Sequence, residues 1–219
     1  YIRKVFNYMG ISLGITSVVS YLMIRTQLFM SLLSVQGGVV AGYSPLGWIV
    51  MFAPLAIVLG MGFLRNMSSA GTKAALFSVS AIMGASISVI LAFSGVGTTF
   101  QAFLITGAIF GTMSLYGYMT DTDLTKAGSL AIMGVWGLVA VSVVGIFTGG
   151  VGIWLSYATV AIFTLLVAYE VQNIKNIYSM VGGRGEDSDR LAALCALNLY
   201  LSFLNIFMAL LRILGGNRR

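Results

Sequence analysis

Glu170 falls inside a long apolar stretch, toward the end of the run 151–171, whereas Asp121, Asp123, Glu186, Asp187 and Asp189 fall in short polar connections. An ionisable group at membrane depth is costly and marks a functional site by default. The competing reading is a helix-end acid neutralised by a lysine or arginine. A second feature is periodic: Cys195, Asn198, Ser202, Asn205, Ala209 and Arg212 recur at steps of three and four, so they share one helix face. Two asparagines and a serine in line do not suit a face turned to lipid. They act either as interhelical hydrogen-bond glue, at about 1 kcal/mol per bond, or as the wall of a solute path. If Glu170, Asn198 and Ser202 converge, one carboxylate sits among neutral oxygens, with Asn205 a turn further along. Hard cations such as calcium favour oxygen ligands. A single carboxylate is too few for tight capture, so the metal chemistry expected at Glu170 is weak, transient calcium contact in an ion pathway. Burial disfavours a carboxyl's charged form, so protonation is the expected gate. Arg65 is the expected cationic partner, able to hold a closed state; Lys73, Lys126 and Lys175 read as solvated anchors.

The remaining chemistry is sparse. The chain has no histidine, which removes histidine base catalysis, pH switching and metal ligation. One cysteine, Cys195, allows neither an intramolecular disulfide nor a cysteine metal cluster. The glycines lie in apolar helices rather than in a phosphate loop between strand and helix. Serines and threonines lack a partnering base, and a two-acid intramembrane protease would need a second membrane acid. No enzyme activity and no cofactor are expected, with calcium entering only as a transported ion.

The elements that must position these residues are membrane helices. The sequence is 58% hydrophobic and 8% charged, against about 25% charged in soluble domains, so lipid must replace water around most of it. A span needs about 20 apolar residues. Seven runs qualify, at 5–24, 46–64, 74–93, 100–119, 128–147, 151–171 and 191–211, and they make one transmembrane domain over 1–219. The first is too long for a signal-peptide core and reads as a retained helix. Ser94 to Thr99 reads as a hinge, and Leu28 to Val35 as an apolar stretch too short to span, suited to the interface. The net charge of +6 is spread over the ends of apolar runs, which signals topology rather than nucleic acid. With the amino terminus inside, Arg3, Lys4, Arg65, Lys73, Lys126, Lys175, Arg184 and Arg190 all face inward and only Arg25 faces out. Seven crossings put Arg212, Arg218 and Arg219 outside, against the rule; a re-entrant last segment would return them. Gly10/Gly14, Gly107/Gly111 and Gly145/Gly149 have the spacing of close helix contacts. Ala81-Ile82-Met83-Gly84 recurs as Ala131-Ile132-Met133-Gly134, a faint trace of internal repetition.

The stretch from Gly84-Ala85-Ser86-Ile87-Ser88 through Thr106-Gly107-Ala108-Ile109-Phe110-Gly111-Thr112-Met113-Ser114-Leu115-Tyr116-Gly117-Tyr118 to Asp121-Thr122-Asp123-Leu124 resembles the signature region of the transmembrane Bax inhibitor motif family. Ala168-Tyr169-Glu170-Val171-Gln172-Asn173-Ile174-Lys175 resembles its sixth-helix terminus, and Leu199 to Phe207 through Leu214-Gly215 resembles its last helix. The resemblance covers nearly the whole chain and is nearest the bacterial branch. It implies an all-α integral membrane protein, a seven-helix bundle with the last helix central. It also implies a pH-sensitive calcium leak governed by two aspartates, on helices six and seven, with an arginine at the end of helix two as switching partner. Glu170 matches the first aspartate and Arg65 the arginine. Ser202 stands at the second aspartate position and cannot ionise, which puts the shared-proton pair in doubt. An acid midway along helix two is replaced by the Ala53-Pro54 region.

Three functions follow from these readings. The first is a pH-sensitive calcium or cation leak of the bacterial inner membrane, gated near Glu170. The second is a non-conducting regulator of a membrane-bound AAA protease, in keeping with what some bacterial relatives resemble. The third is a proton-coupled transporter with Glu170 as carrier. The partners expected are the lipid bilayer, calcium or another cation, and a membrane protease complex; nucleic acid is not among them.

Overall fold

Residues 1–36, 39–50, 53, 68–148, 152–181 and 185–216 are described by the structure, a computed structural model. The helices are α1 (Ile2–Arg25), α2 (described over 45–50), α3 (Ser69–Ser94), α4 (Val96–Met119), α5 (Thr125–Thr148), α6 (Trp154–Val181) and α7 (Glu186–Gly216). Among the described residues, six helices are long and apolar enough to cross a membrane, so the chain is of the all-α membrane class. Most of the run 46–64, with Pro54, and also Arg65, Arg184, Arg218 and Arg219, lie outside the described residues.

Capping chemistry marks the starts of α2, α3 and α5. Ser68 precedes α3, and its hydroxyl accepts the Gly71 N–H at 3.2 Å. Asp123 precedes α5 and accepts both the backbone N–H and the hydroxyl of Thr125, at 2.9 and 2.6 Å. Those two bonds hold the Asp123 carboxyl below the usual aspartate range. Pro45 takes the first helical position of α2, where its missing N–H costs nothing, and Ser44 accepts the Gly47 N–H at 3.1 Å. Glu186, Asp187 and Asp189 form the acidic first turn of α7, which favours negative charge at a helix N-terminus. These three acids therefore belong to a helix and not to the polar connection in which they read from sequence.

One connection is shorter than expected, and another takes a form that the sequence reading left open. The hinge expected over Ser94 to Thr99 is one residue, Gly95, at φ 75°; glycine enters this left-handed region without a Cβ clash, and α4 starts immediately after it. The apolar stretch Leu28 to Val35 forms a 3₁₀ turn over Leu28–Leu32 and then a strand, β1 (Leu33–Gln36), paired antiparallel with β2 (Val39–Tyr43). The β-branched Val35, Val39 and Val40 favour the extended backbone. Phe29, Leu32 and Leu33 bury themselves with Val89 of α3, and the Phe29 ring meets Phe93 edge-on at 6.3 Å.

The chain divides into two compact units, Tyr1–Gly95 with Gly183–Leu197, and Val96–Gly182 with Asn198–Arg219. In the first, α1 lies along α3. Both helices carry buried small hydroxyl residues, Ser12, Thr16 and Ser20 on α1 and Thr72, Ser80 and Ser88 on α3. The Thr16 hydroxyl donates across the seam to the Ser80 carbonyl at 2.9 Å. Gly84 makes the approach feasible, since a Cβ there would come within 2.8 Å of the Thr16 carbonyl oxygen.

In the second unit, α4 and α5 each lie along α6. Gly117 rests on the Ala168 carbonyl, Gly128 on the Tyr169 ring and Gly134 on Ile162. Phe103 and Phe110 of α4 meet Phe203 of α7 edge-on, with ring centroids 6.0 and 5.6 Å apart. Among the described residues the glycines that make close contacts are thus Gly47, against the Leu32 carbonyl, and Gly84, Gly117, Gly128 and Gly134. A Cβ at Gly10, Gly14, Gly107 or Gly111 would meet nothing within 4 Å among the described residues, and Gly149 lies outside them. Burial separates the spans sharply: 78% of the apolar window of α7 is buried against 11% of that of α5. Among these spans the window of α7 is the most buried.

Candidate functional site

Glu170 sits well inside α6, which continues for about three more turns to Val181. The helix-end reading fails on this point, because the apolar run stops at Val171 while the helix does not. Its 28 residues span about 42 Å, more than the roughly 30 Å of a hydrocarbon core. Val167, Val171 and Ile174, one helical turn or less from Glu170, are almost fully buried. The backbone face that carries Glu170 is therefore apolar on both sides of it.

Ser202 of α7 is 1% exposed, and its hydroxyl donates to Glu170 Oε2 at 2.9 Å. The contact needs Ser202 on the buried face of α7, where Leu199, Ile206 and Ala209 also point inward. Among the described residues Glu170 has no ion-pair partner; the ion pairs there join Lys4 and Lys73 to Asp189 and Arg190 to Asp187. A carboxyl that meets a hydroxyl donor and, among the described residues, no cation can take up or release a proton without breaking a salt bridge there.

The other site residues read from sequence divide. Asn198, one turn before Ser202 on the same face, is half-buried, and no hydrogen bond joins it to Glu170 among the described residues. Asn205 is also half-buried, and its amide donates back to the Leu201 carbonyl at 2.8 Å. Its donor is thus spent within α7 rather than aimed at Glu170. Cys195 and Ala209 are buried and Arg212 is exposed. Arg65 lies outside the described residues.

Two of the lysines expected to be solvated anchors are engaged. Lys175 donates to the Tyr118 carbonyl at 2.6 Å and lies 5.5 Å from the centre of its ring. Lys73 meets Asp189 at 3.2 Å and lies over the Tyr8 ring. Lys126 is exposed. Gln172, two residues beyond Glu170, clamps the α4–α5 connection: its carbonyl accepts the Leu124 N–H and its amide donates to the Thr122 carbonyl, both at 2.8 Å. The sequence held a signal for this clamp, a glutamine and a lysine at i and i+3 on a helix face that outlasts the apolar run. The acidic turn ahead of Leu191 likewise pointed to a helix start.

The profile of the family described as inhibitor of apoptosis-promoting Bax1 matches residues 1–219. A Rickettsia prowazekii protein is 38% identical over 227 residues, covering 100% of this chain and 90% of its own. An uncharacterised Caulobacter vibrioides protein is 36% identical, covering 98% and 87%. The Escherichia coli inner membrane protein YbhL is 32% identical, covering 100% and 92%.

Proposed function

We propose, from the premise that this chain belongs to the Bax inhibitor-1-like family of membrane proteins and has bacterial relatives along its whole length, that it is a pH-sensitive leak for calcium or a similar cation. The observation that carries this reading is the hydrogen bond from Ser202 to Glu170 at 2.9 Å. It supports a gate made of one carboxyl and one hydroxyl. With the carboxyl protonated, two neutral groups close on each other and offer a cation no charge. With it ionised, a carboxylate flanked by a serine oxygen attracts a cation, yet holds it weakly because calcium usually takes 6 to 8 oxygens. Weak contact is what conduction requires. Asn198 is assigned the role of a lining residue beyond Ser202. The membrane assigned is the bacterial inner membrane, with the amino terminus cytoplasmic, in line with the positive-inside distribution.

The test is calcium entry into liposomes holding the whole chain, followed from acid to mildly alkaline pH, beside Glu170→Gln. The reading expects flux that rises as the carboxyl ionises and loses its pH dependence in the variant. Flux no greater than that of empty liposomes, with folded protein, would replace the leak by a regulatory role on a membrane-bound AAA protease. Uptake that runs only with a proton gradient would replace it by coupled transport.

A further inference from the structure

We infer that Lys4 and Lys73 form a binding site for the phosphate of an anionic phospholipid, occupied in this state by the protein's own Asp189. The two lysines come from different helices, the first turn of α1 and the second of α3, yet both ammonium groups reach one carboxylate of α7. Lys4 Nζ lies 2.7 Å from Asp189 Oδ1 and Lys73 Nζ 3.2 Å from Asp189 Oδ2. One oxygen faces each ammonium, the arrangement in which a phosphate would present two of its own.

Three further observations point outward. The lysine side chains are 46% and 29% exposed, so a ligand can reach them. Two ammoniums against one carboxylate leave a net positive charge, and Arg3, exposed on the same first turn of α1, adds to it. The Tyr8 ring lies 5.5 Å beneath Lys73 and fixes that lysine at the seam of α1 and α3. The neighbouring acids are already committed, Glu186 to the Ser69 N–H at 3.4 Å and Asp187 to Arg190 at 3.1 Å, so among the described residues Asp189 is the acid that competes for the site. Both lysines lie near the ends of membrane spans, the level at which lipid headgroups present phosphate, and basic pockets between span ends are suited to such headgroups. A part-exposed carboxylate is a weak competitor, because solvent-screened ion pairs contribute little.

The experiment reconstitutes the full chain in nanodiscs of phosphatidylglycerol and phosphatidylcholine, then weighs the lipid retained after detergent extraction. Phosphatidylglycerol should be retained preferentially, and each of Lys4→Gln and Lys73→Gln should lower its occupancy roughly fivefold. Asp189→Asn should raise it, while Lys4→Arg and Lys73→Arg should keep it. The arginine pair shows that a loss in the glutamine variants reflects charge and not misfolding. Equal retention of both lipids, or a preference that the glutamine variants leave unmoved, overturns the inference. Release of the retained lipid by millimolar inorganic phosphate overturns it as well, in favour of a free-phosphate site.

Discussion

Asp189 and Glu170 are both acids on helices long enough to cross a membrane, and their surroundings are opposite. Asp189 lies in the first turn of α7, meets two ammoniums and remains part-exposed. Glu170 lies in the interior of α6 among buried valines and an isoleucine and meets one hydroxyl. Fixed cations commit a carboxylate to its charged form and make it a tie between helices. A hydroxyl with no cation beside it among the described residues does not fix the carboxyl's charge. The same contrast runs through the packing of the two units. Hydroxyls and Gly84 close the α1–α3 seam, whereas phenylalanine rings fill the space between α4 and α7.

The largest expected effect breaks the contrast at its functional end. Glu170→Gln should reduce cation flux by roughly tenfold, equivalent to ~1.4 kcal/mol of barrier, and flatten its pH profile; an unchanged profile in the liposome assay removes Glu170 as the gate. Ser202→Asp makes the second acid of a pair and should sharpen the pH dependence. Ser202→Ala should leave the dependence in place and cost about 1 kcal/mol of stability for the lost hydrogen bond. A Ser202→Asp profile identical to the native one would sever the serine from the gate. Gly84→Val should lower the thermal unfolding midpoint in detergent, at about 1–3 kcal/mol for overpacking the seam, while Gly10→Val should be nearly neutral. Equal losses at the two positions would contradict the seam described for α1 and α3. The smallest effect is expected at Asp123, whose carboxyl sits below its ordinary range through the Thr125 bonds. Its contribution is complete above the ordinary aspartate pKa and fades as pH falls through the lower folded value. Asp123→Asn should therefore remove a slight acid sensitivity of the α5 start, visible by hydrogen exchange at Thr125.

Much of this was legible in the residues. Steps of three and four put Ser202 on an interior face, and the succession of the sixth and seventh helices across an inner loop placed it at a depth like that of Glu170. Asn205 shared that periodicity but not that role, because a helical asparagine can satisfy its amide on its own backbone; periodicity gives the face and says nothing of the partner. Helix ends were misread wherever a cap or an acidic first turn carried the helix beyond the apolar run, as at Ser68 and Glu186. For the same reason Asp189 looked like a loop acid. The glycine pairs misled in a related way. Spacing four apart makes a groove, but only the neighbouring helix decides whether it is filled, and Gly84 and Gly117 have neighbours where Gly10 and Gly107 have none among the described residues.

The sparse burial of α5 has a consequence for how its sequence is free to vary. Leu130, Met133, Trp136, Val144 and Phe147 are each more than half exposed, so their shapes are matched to no fixed partner among the described residues. Gly128 and Gly134 meet Tyr169 and Ile162 of α6 closely, and Ala131 is buried. A saturation library over α5 should accept most exchanges among leucine, valine, methionine and phenylalanine on the outer face and reject charge there. On α7 the same library should reject changes of size as strictly as changes of polarity. One helix is written in an alphabet of solubility in lipid, the other in an alphabet of form.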